Sequence, residues 1–315
     1  MLNKQEQTLK SKVVRSGFNR RASCFAVRET FVDYFPIGEF GDYRAFVDST
    51  GECLKEEPRT RVTLLCRHVN GPGDGMSQNF VLKTYHYPFF PRIRTGFRIP
   101  KAEREFNALL KLFRMGVPVV EPVAFGVKKT LFGLVHSCFL LTVYVGETSN
   151  LWSHRKCDKR SRSEIGVQYG DVILHQIGEK LRRTHQARFF LFTADAKNIL
   201  LRRSAGQSVE TLFVDLPYAR TLRWLPLARW AQKRDIVRFL ENFLPYATDA
   251  QQAPFYEAYL PDPLGGSDRA LLYRVGKAIK AKQNRTLITS WVNRVKRILR
   301  NRAKQRETNQ STATE

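Results

Sequence analysis

LRRTHQARFFLFTADAKNILLRRSAGQSVETLFVDLPYAR, residues 181–220, sets most of what can be read about this chain. It begins inside a helical pattern whose apolar positions are Val172, Ile173, Ile177 and Leu181, and which ends near His185. Thirteen residues after His185, Asn198 opens the apolar run Ile199-Leu200-Leu201. Seventeen residues further on, Phe213-Val214 ends at Asp215. Two short strands are expected, one entered through an amide and the other left through a carboxylate.

Upstream, Arg61-Val-Thr-Leu-Leu-Cys-Arg-His-Val69 and Phe80-Val-Leu-Lys-Thr-Tyr-His86 are rich in β-formers and flank the turn cluster Asn70-Gly-Pro-Gly-Asp-Gly75. They read as a β-hairpin with a long connection. Pro100 to Phe113 reads as a helix, with apolar Phe106, Leu109, Leu110 and Phe113 and a stop at Gly116. Val117–Gly126 and Leu131–Val145 are further β material, and Arg229–Tyr259 is helical in pattern. No internal repeat is visible. The order is β-rich, one helix, β-rich, then mostly helical.

Of the 315 residues, 43% are hydrophobic, enough for a sizeable core. The formal net charge of +24 favours anionic partners. Five cysteines, Cys24, Cys53, Cys66, Cys138 and Cys157, make no CxxC pair, so reduced thiols are expected rather than a zinc site. The N-terminal segment shows no signal peptide, and the longest uncharged stretch, Leu131–Gly146, is too short for a spanning helix, which needs about 20 apolar residues.

Lys83 sits in an apolar strand, Glu105 follows on a helix, and Asn198 and Asp215 come later at strand boundaries. Phosphoryl transfer from ATP needs such a set, in this order: a lysine on the phosphates, a glutamate holding it, and an Asn and an Asp for magnesium. Taken singly each residue has a plainer reading, as an exposed strand lysine, a solvated helix glutamate or a turn former.

Over residues 40–262 the chain resembles the bacterial lipopolysaccharide core kinases, the Kdo/heptose kinase group of the protein-kinase-like fold. VLKTY places Lys83 as the nucleotide-binding lysine, and EREFNALLKLF places Glu105 as its helix partner, with Glu103 as the fallback. Val143-Tyr-Val-Gly146 occupies the inter-lobe hinge, which implies nucleotide contacts at Val143 and Val145. LRRTH leads into the catalytic loop, ADAKNILL places Asn198 and VDLPYAR places Asp215 as metal ligands. Asp235, in KRDIVRFLENFL, matches a structural rather than a catalytic position. The implied fold class is α+β: a β-rich N-lobe over 41–143, a mainly helical C-lobe over 144–262, a basic N-terminal extension over 1–40 and a basic C-terminal segment over 263–315. The implied cofactors are ATP and Mg2+.

The sequence departs from the family pattern in three places. The loop aspartate expected five residues before Asn198 is Thr193, and the His position is Leu191. A threonine cannot accept a hydroxyl proton as a carboxylate can. Asp195 lies two residues on, and two readings stand: a relocated base or orienting group, or a residue that caps the loop, the second being favoured. Third, the covering strand-turn-strand near Phe46–Val62 contains Gly51 alone, with Lys55 and Arg59 nearby.

Arg274–Arg306 carries twelve Lys/Arg and no acidic residue, with Leu287, Ile288, Trp291, Val295 and Leu299 near helical spacing. It reads either as an amphipathic helix on an anionic membrane surface or as a tail packed on the domain. The expected function is a kinase acting on a sugar hydroxyl of an anionic glycan or glycolipid, cytoplasmic and peripheral on the inner face of the membrane. A pseudokinase is the alternative, because of Thr193. An aminoglycoside- or choline-type phosphotransferase fits +24 less well, and nucleic acid is not the expected partner, since charge alone supports it.

Overall fold

The computed structural model describes residues 13–17, 23–35, 51–68, 77–88, 99–130, 132–146, 148–151, 170–203, 208–243, 249–260 and 268–281. The N-lobe is a seven-stranded antiparallel sheet in the order β1-β2-β6-β7-β5-β4-β3. Its strands are β1 (Val13–Gly17), β2 (Ser23–Arg28), β3 (Glu52–Glu57), β4 (Thr60–His68), β5 (Ser77–His86), β6 (Pro122–Lys129) and β7 (Val135–Val143). Between β5 and β6 runs helix α1, Lys101–Arg114. The expected pairing of residues 61–69 with 80–86 is the β4–β5 hairpin, in which Val62 faces Lys83. Its turn cluster, 70–75, lies outside the described residues.

Strand alternation places the chemistry. On β5, Phe80 and Leu82 point to one face of the sheet and pack with Phe25, Phe31, Phe35, Leu65 and Phe139. Lys83 and Tyr85 have the opposite parity and share the other face, the one covered by α1, where Tyr85 joins Phe106 and Leu109. The helix therefore stands over the strand lysine because its own apolar stripe, Phe106, Leu109, Leu110 and Leu112, is buried there.

The expectation that residues 1–40 form an extension outside the N-lobe is corrected for its described part. β2 pairs with β6, and β1 pairs with β2. A 3-10 turn, Glu29–Tyr34, then lays Phe31 against Phe80, centroids 6.0 Å apart. Arg28 is fully buried, yet its Nη1 donates to Glu121 Oε1 at 2.6 Å and to Pro122 O at 3.0 Å. The rings of Phe31 and Phe113 flank its guanidinium, an environment that arginine tolerates because its charge is delocalised and weakly hydrated.

The chain crosses to the C-lobe after β7 through Tyr144 and Val145 to Gly146, whose φ of +79° is favoured by glycine. The C-lobe holds helices α2 (Gly170–Gln186), α3 (Leu225–Phe243) and α4 (Asp249–Tyr259), with residues 268–281 also helical. The helical stretch expected over 229–259 is thus two helices, the first starting earlier, at Leu225. Two small sheets complete the lobe: β8 (Thr148–Asn150) with β10 (Ile199–Arg203) and β11 (Val209–Phe213), and β9 (Phe189–Phe190) with β12 (Arg220–Thr221). A strap from Val117 to Val120 ties the lobes. Phe213 N–H donates to Pro118 O at 3.3 Å and Val120 N–H to Phe213 O at 3.4 Å.

Helices α2 and α4 meet at Gly178. A Cβ there would lie 2.4 Å from the backbone oxygen of Phe255, so the site has room for hydrogen only. Gly178→Val is expected to lower stability by about 2–3 kcal/mol, the range of overpacked cores. Chemical denaturation of the variant beside wild type checks this, and an unchanged midpoint would refute the close approach.

Candidate active site

Lys83 Nζ lies 2.9 Å from Asp215 Oδ1 and 3.5 Å from Glu105 Oε1. A sheet lysine, a helix glutamate and a C-lobe aspartate therefore converge, separated in sequence by 22 and 110 residues. Glu105 is almost wholly buried, and its other oxygen, Oε2, accepts from Tyr85 Oη at 2.7 Å. Glu103, the fallback, is not brought to Lys83. Burial alone would lower the Lys83 pKa, but Glu105 and Asp215 outweigh it and raise the pKa above its ordinary value. Burial would raise Asp215, but Lys83 and then Lys101 hold its carboxyl below the usual range. Burial and the Glu105 charge push the Tyr85 phenol well up, so it stays a hydrogen-bond donor.

Asp215 takes a left-handed backbone conformation, φ +53°, uncommon for a residue with a Cβ. Its surroundings fix it. Val214 N–H donates to Asn198 O at 2.9 Å, joining the two sequence-predicted metal ligands through the backbone. Asn198 ends a 3-10 turn, Ala196–Asn198, and its Nδ2 donates to Thr193 O at 3.0 Å. That orientation leaves the amide oxygen as the group available to a cation. Thr193 Oγ1 lies 3.3 Å from Leu191 O and 3.2 Å from Asp215 O, so its single hydroxyl hydrogen is directed at backbone carbonyls.

Asp195 points the other way. Arg238 of α3 donates to its two oxygens, Nε to Oδ1 at 2.5 Å and Nη2 to Oδ2 at 2.6 Å, and Asn242 Nδ2 adds a bond to Oδ1 at 2.8 Å. The Asp195 hydrogen bond raises the Arg238 pKa. A carboxylate clamped bidentately by a guanidinium anchors a loop and has little free lone-pair capacity for a proton.

Asp235, fully buried on α3, shapes the same loop from beneath. Its Oδ2 accepts from Leu191 N–H at 2.7 Å and its Oδ1 from Phe192 N–H at 2.8 Å. Phe192 is left-handed at φ +60°, a strained conformation that these bonds hold in place. His185 Nε2 lies 3.3 Å from Asp235 Oδ2, and its Nδ1 lies 2.8 Å from Tyr259 Oη, to which Gln232 Nε2 donates at 2.7 Å. One assignment satisfies all of them: Gln232 donates to Tyr259, Tyr259 to His185, and His185 to Asp235.

Lys101 is a site residue that sequence reasoning missed. It opens α1, its Nζ lies 3.9 Å from Asp215 Oδ1, and it sits 4.5 Å from the centroid of the Tyr85 ring. Burial and the neighbouring Lys83 lower its pKa. The available signal was its spacing, four residues before Glu105 and so on the same helix face. The β3–β4 hairpin has a two-residue tip, Pro58-Arg59, that contains no glycine, and Glu57 beside it interacts electrostatically with Lys101 and Lys83. Val143 packs with the Phe80 side of the sheet and Val145 with the opposite core. Both line a cavity of about 480 Å3 beside the strap, walled also by Glu121, Arg202 and Glu210 but not by Lys83 or Asp215. A larger cavity, about 740 Å3, runs along α3 from Asp195 and Lys197 to Trp230, Lys233 and Arg234.

Among the described residues no three His, Cys, Asp or Glu side chains form a ready-made metal cage. One carboxylate, Asp215, and one amide oxygen, Asn198, beside two lysines fit Mg2+ arriving with phosphates, since magnesium is commonly held by one or two carboxylates plus substrate oxygens.

A solved structure described as WaaP in complex with acyl carrier protein is similar in fold, with a TM-score of 0.55 at 16% identity over 82% of this chain and 98% of that one. A Neurospora crassa PAN3 pseudokinase mutant matches at a TM-score of 0.40 and 12% identity, over 80% of this chain and 68% of that one. No curated protein matches the sequence. The profile of the lipopolysaccharide kinase (Kdo/WaaP) family matches residues 52–259, the span that carries Lys83, Glu105, Asn198 and Asp215, and the chain belongs to that family.

Proposed function

We propose that this protein is an ATP- and magnesium-dependent kinase that phosphorylates a sugar hydroxyl on an anionic glycan of the lipopolysaccharide core type. The observation that carries this reading is the convergence of Lys83 on Glu105 and Asp215 at 3.5 and 2.9 Å. Lys83 would neutralise the phosphates of the nucleotide, with Glu105 and Tyr85 fixing its position. Lys101, 3.9 Å from Asp215 Oδ1, supplies a second cation at the same place. Asp215 and Asn198 would hold Mg2+, which supplies charge neutralisation at the phosphates when bound. The net charge of +24 suits an acceptor that already carries phosphate or carboxylate.

Thr193 does not take the acceptor proton. Phosphoryl transfer through a loose transition state rests mainly on positioning and electrostatics, so the lost carboxylate costs rate without forbidding the reaction. General-base assistance typically contributes about 10²–10⁴-fold, which sets the size of that cost.

A pseudokinase is the second reading. It is favoured by the Thr193 hydroxyl being turned to carbonyls and by the Asp195 carboxylate being held by Arg238. One experiment separates them: ATP binding and turnover with and without magnesium, wild type beside Lys83→Ala, with lipopolysaccharide-core acceptors. The kinase reading expects turnover that falls about a thousandfold or more in Lys83→Ala. ATP binding with no turnover on any glycan would select the pseudokinase. Absence of magnesium-dependent nucleotide binding would sink both.

A further inference from the structure

Residues 218–234, YARTLRWLPLARWAQKR, contain five cations and no acidic residue. They also hold large apolar side chains that the fold leaves in water: Tyr218 at 57% exposure, Trp224 at 65%, Leu225 at 49%, Leu227 at 43% and Trp230 at 44%. Scattered exposed apolar residues need no explanation, but a contiguous patch with two tryptophans marks a contact surface. The patch surrounds the N-terminal end of α3, where Leu227, Trp230 and Arg234 follow helical spacing along one stripe and Arg223 and Trp224 lie just before the first turn.

We infer that this face is a docking surface for an anionic lipid bilayer. Trp224, Leu225, Leu227 and Trp230 are set to enter the boundary between headgroups and acyl chains. Arg220, Arg223, Arg229, Lys233 and Arg234 are set to engage lipid phosphates. Tryptophan and leucine edged by arginine and lysine are what interfacial helices use, since the rings suit the boundary and the cations suit its potential. A protein partner would have to be uniformly acidic to match a face with no carboxylate from Tyr218 to Arg234, whereas an anionic bilayer carries that charge throughout. A second copy is disfavoured further, since a two-fold interface would oppose this face to itself and bring its cations together.

The placement also matters to the site. Trp230, Lys233 and Arg234 line the 740 Å3 cavity that runs to Lys197, whose charge contributes to lowering the Asp215 pKa. A bilayer on this face would lie along the approach to the catalytic loop, so a lipid-anchored acceptor would arrive at its mouth. That benefit rests on the proposed acceptor; the docking itself does not.

The test is co-sedimentation of the full-length protein with phosphatidylcholine vesicles, with and without phosphatidylglycerol, at low and high salt. Wild type is expected to bind the anionic vesicles and to be released by salt. Trp224→Ser with Leu227→Ser is expected to weaken partitioning about tenfold or more, while neutral vesicles bind little in either case. Arg223→Gln with Arg229→Gln provides a second variant that leaves the apolar residues in place, and melting curves show that each variant is folded. Gln substitutions at Arg294, Lys296, Arg297 and Arg300 separate this face from the basic C-terminal segment. Wild-type failure to bind anionic vesicles would overturn the inference. So would retention of binding in both face variants, or a lipid-free dimer that the face variants abolish without any change in vesicle binding. Because binding is read without turnover, its failure is distinct from failure of the kinase reading.

Discussion

Asp215→Asn is expected to reduce phosphotransfer by three orders of magnitude or more, about 4 kcal/mol of transition-state stabilisation. The substitution keeps the shape of the side chain and removes its charge. Lys83 loses its partner at 2.9 Å but retains Glu105 at 3.5 Å, so it stays positioned for phosphate. The oxygen donor paired with Asn198 becomes neutral, and magnesium binding weakens. The effect should therefore appear both in kcat and in a lower affinity for magnesium-ATP, with the melting temperature little changed. Nucleotide affinity is the more robust readout, since it applies equally to a protein that binds ATP without turnover. Unchanged affinity for magnesium-ATP would remove Asp215 from the nucleotide site.

Asp235→Ala should be the most damaging change to the fold of the site. It strands the N–H groups of Leu191 and Phe192 and removes the acceptor for His185, all inside the protein. Breaking a buried ionic network from one side costs about 3–5 kcal/mol. The left-handed backbone at Phe192 loses the bonds that hold it, so loop disorder should accompany the lost stability. Urea unfolding measures the first, and proteolysis near residues 191–195 the second. A variant as stable as wild type would mean that the carboxylate is dispensable to the loop.

Much of this was legible in the sequence. The strand lysine, helix glutamate, Asn198 and Asp215 can be read because each is tied to a regular element with its own periodicity. Lys101 was hidden because a lysine at a helix start looks like ordinary solvation, and its partner, Asp215, is over a hundred residues away. Asp195 could be read as a loop-capping residue, but the group that clamps it, a bidentate arginine 43 residues downstream, has no local signal. Residues 23–35 were misplaced for a related reason. Arg28 and Glu29 give the segment a charged texture, and only the fold supplies Glu121 and the rings that make a buried arginine tolerable. The exposed Trp230 fell within the stretch read as helix from Arg229, and amphipathic spacing does not say which side meets the protein, while Trp224 lay before that stretch.

The strap at Val117–Val120 has one further consequence. Glu105 and Asp215 belong to one mechanical body, since α1 runs into the strap and the strap is stitched to Phe213, two residues before Asp215. Any swing of the helix that parts Lys83 from Glu105 while keeping those bonds must therefore be absorbed at Met115 and Gly116, the latter at φ +68°, between the end of the helix and the strap.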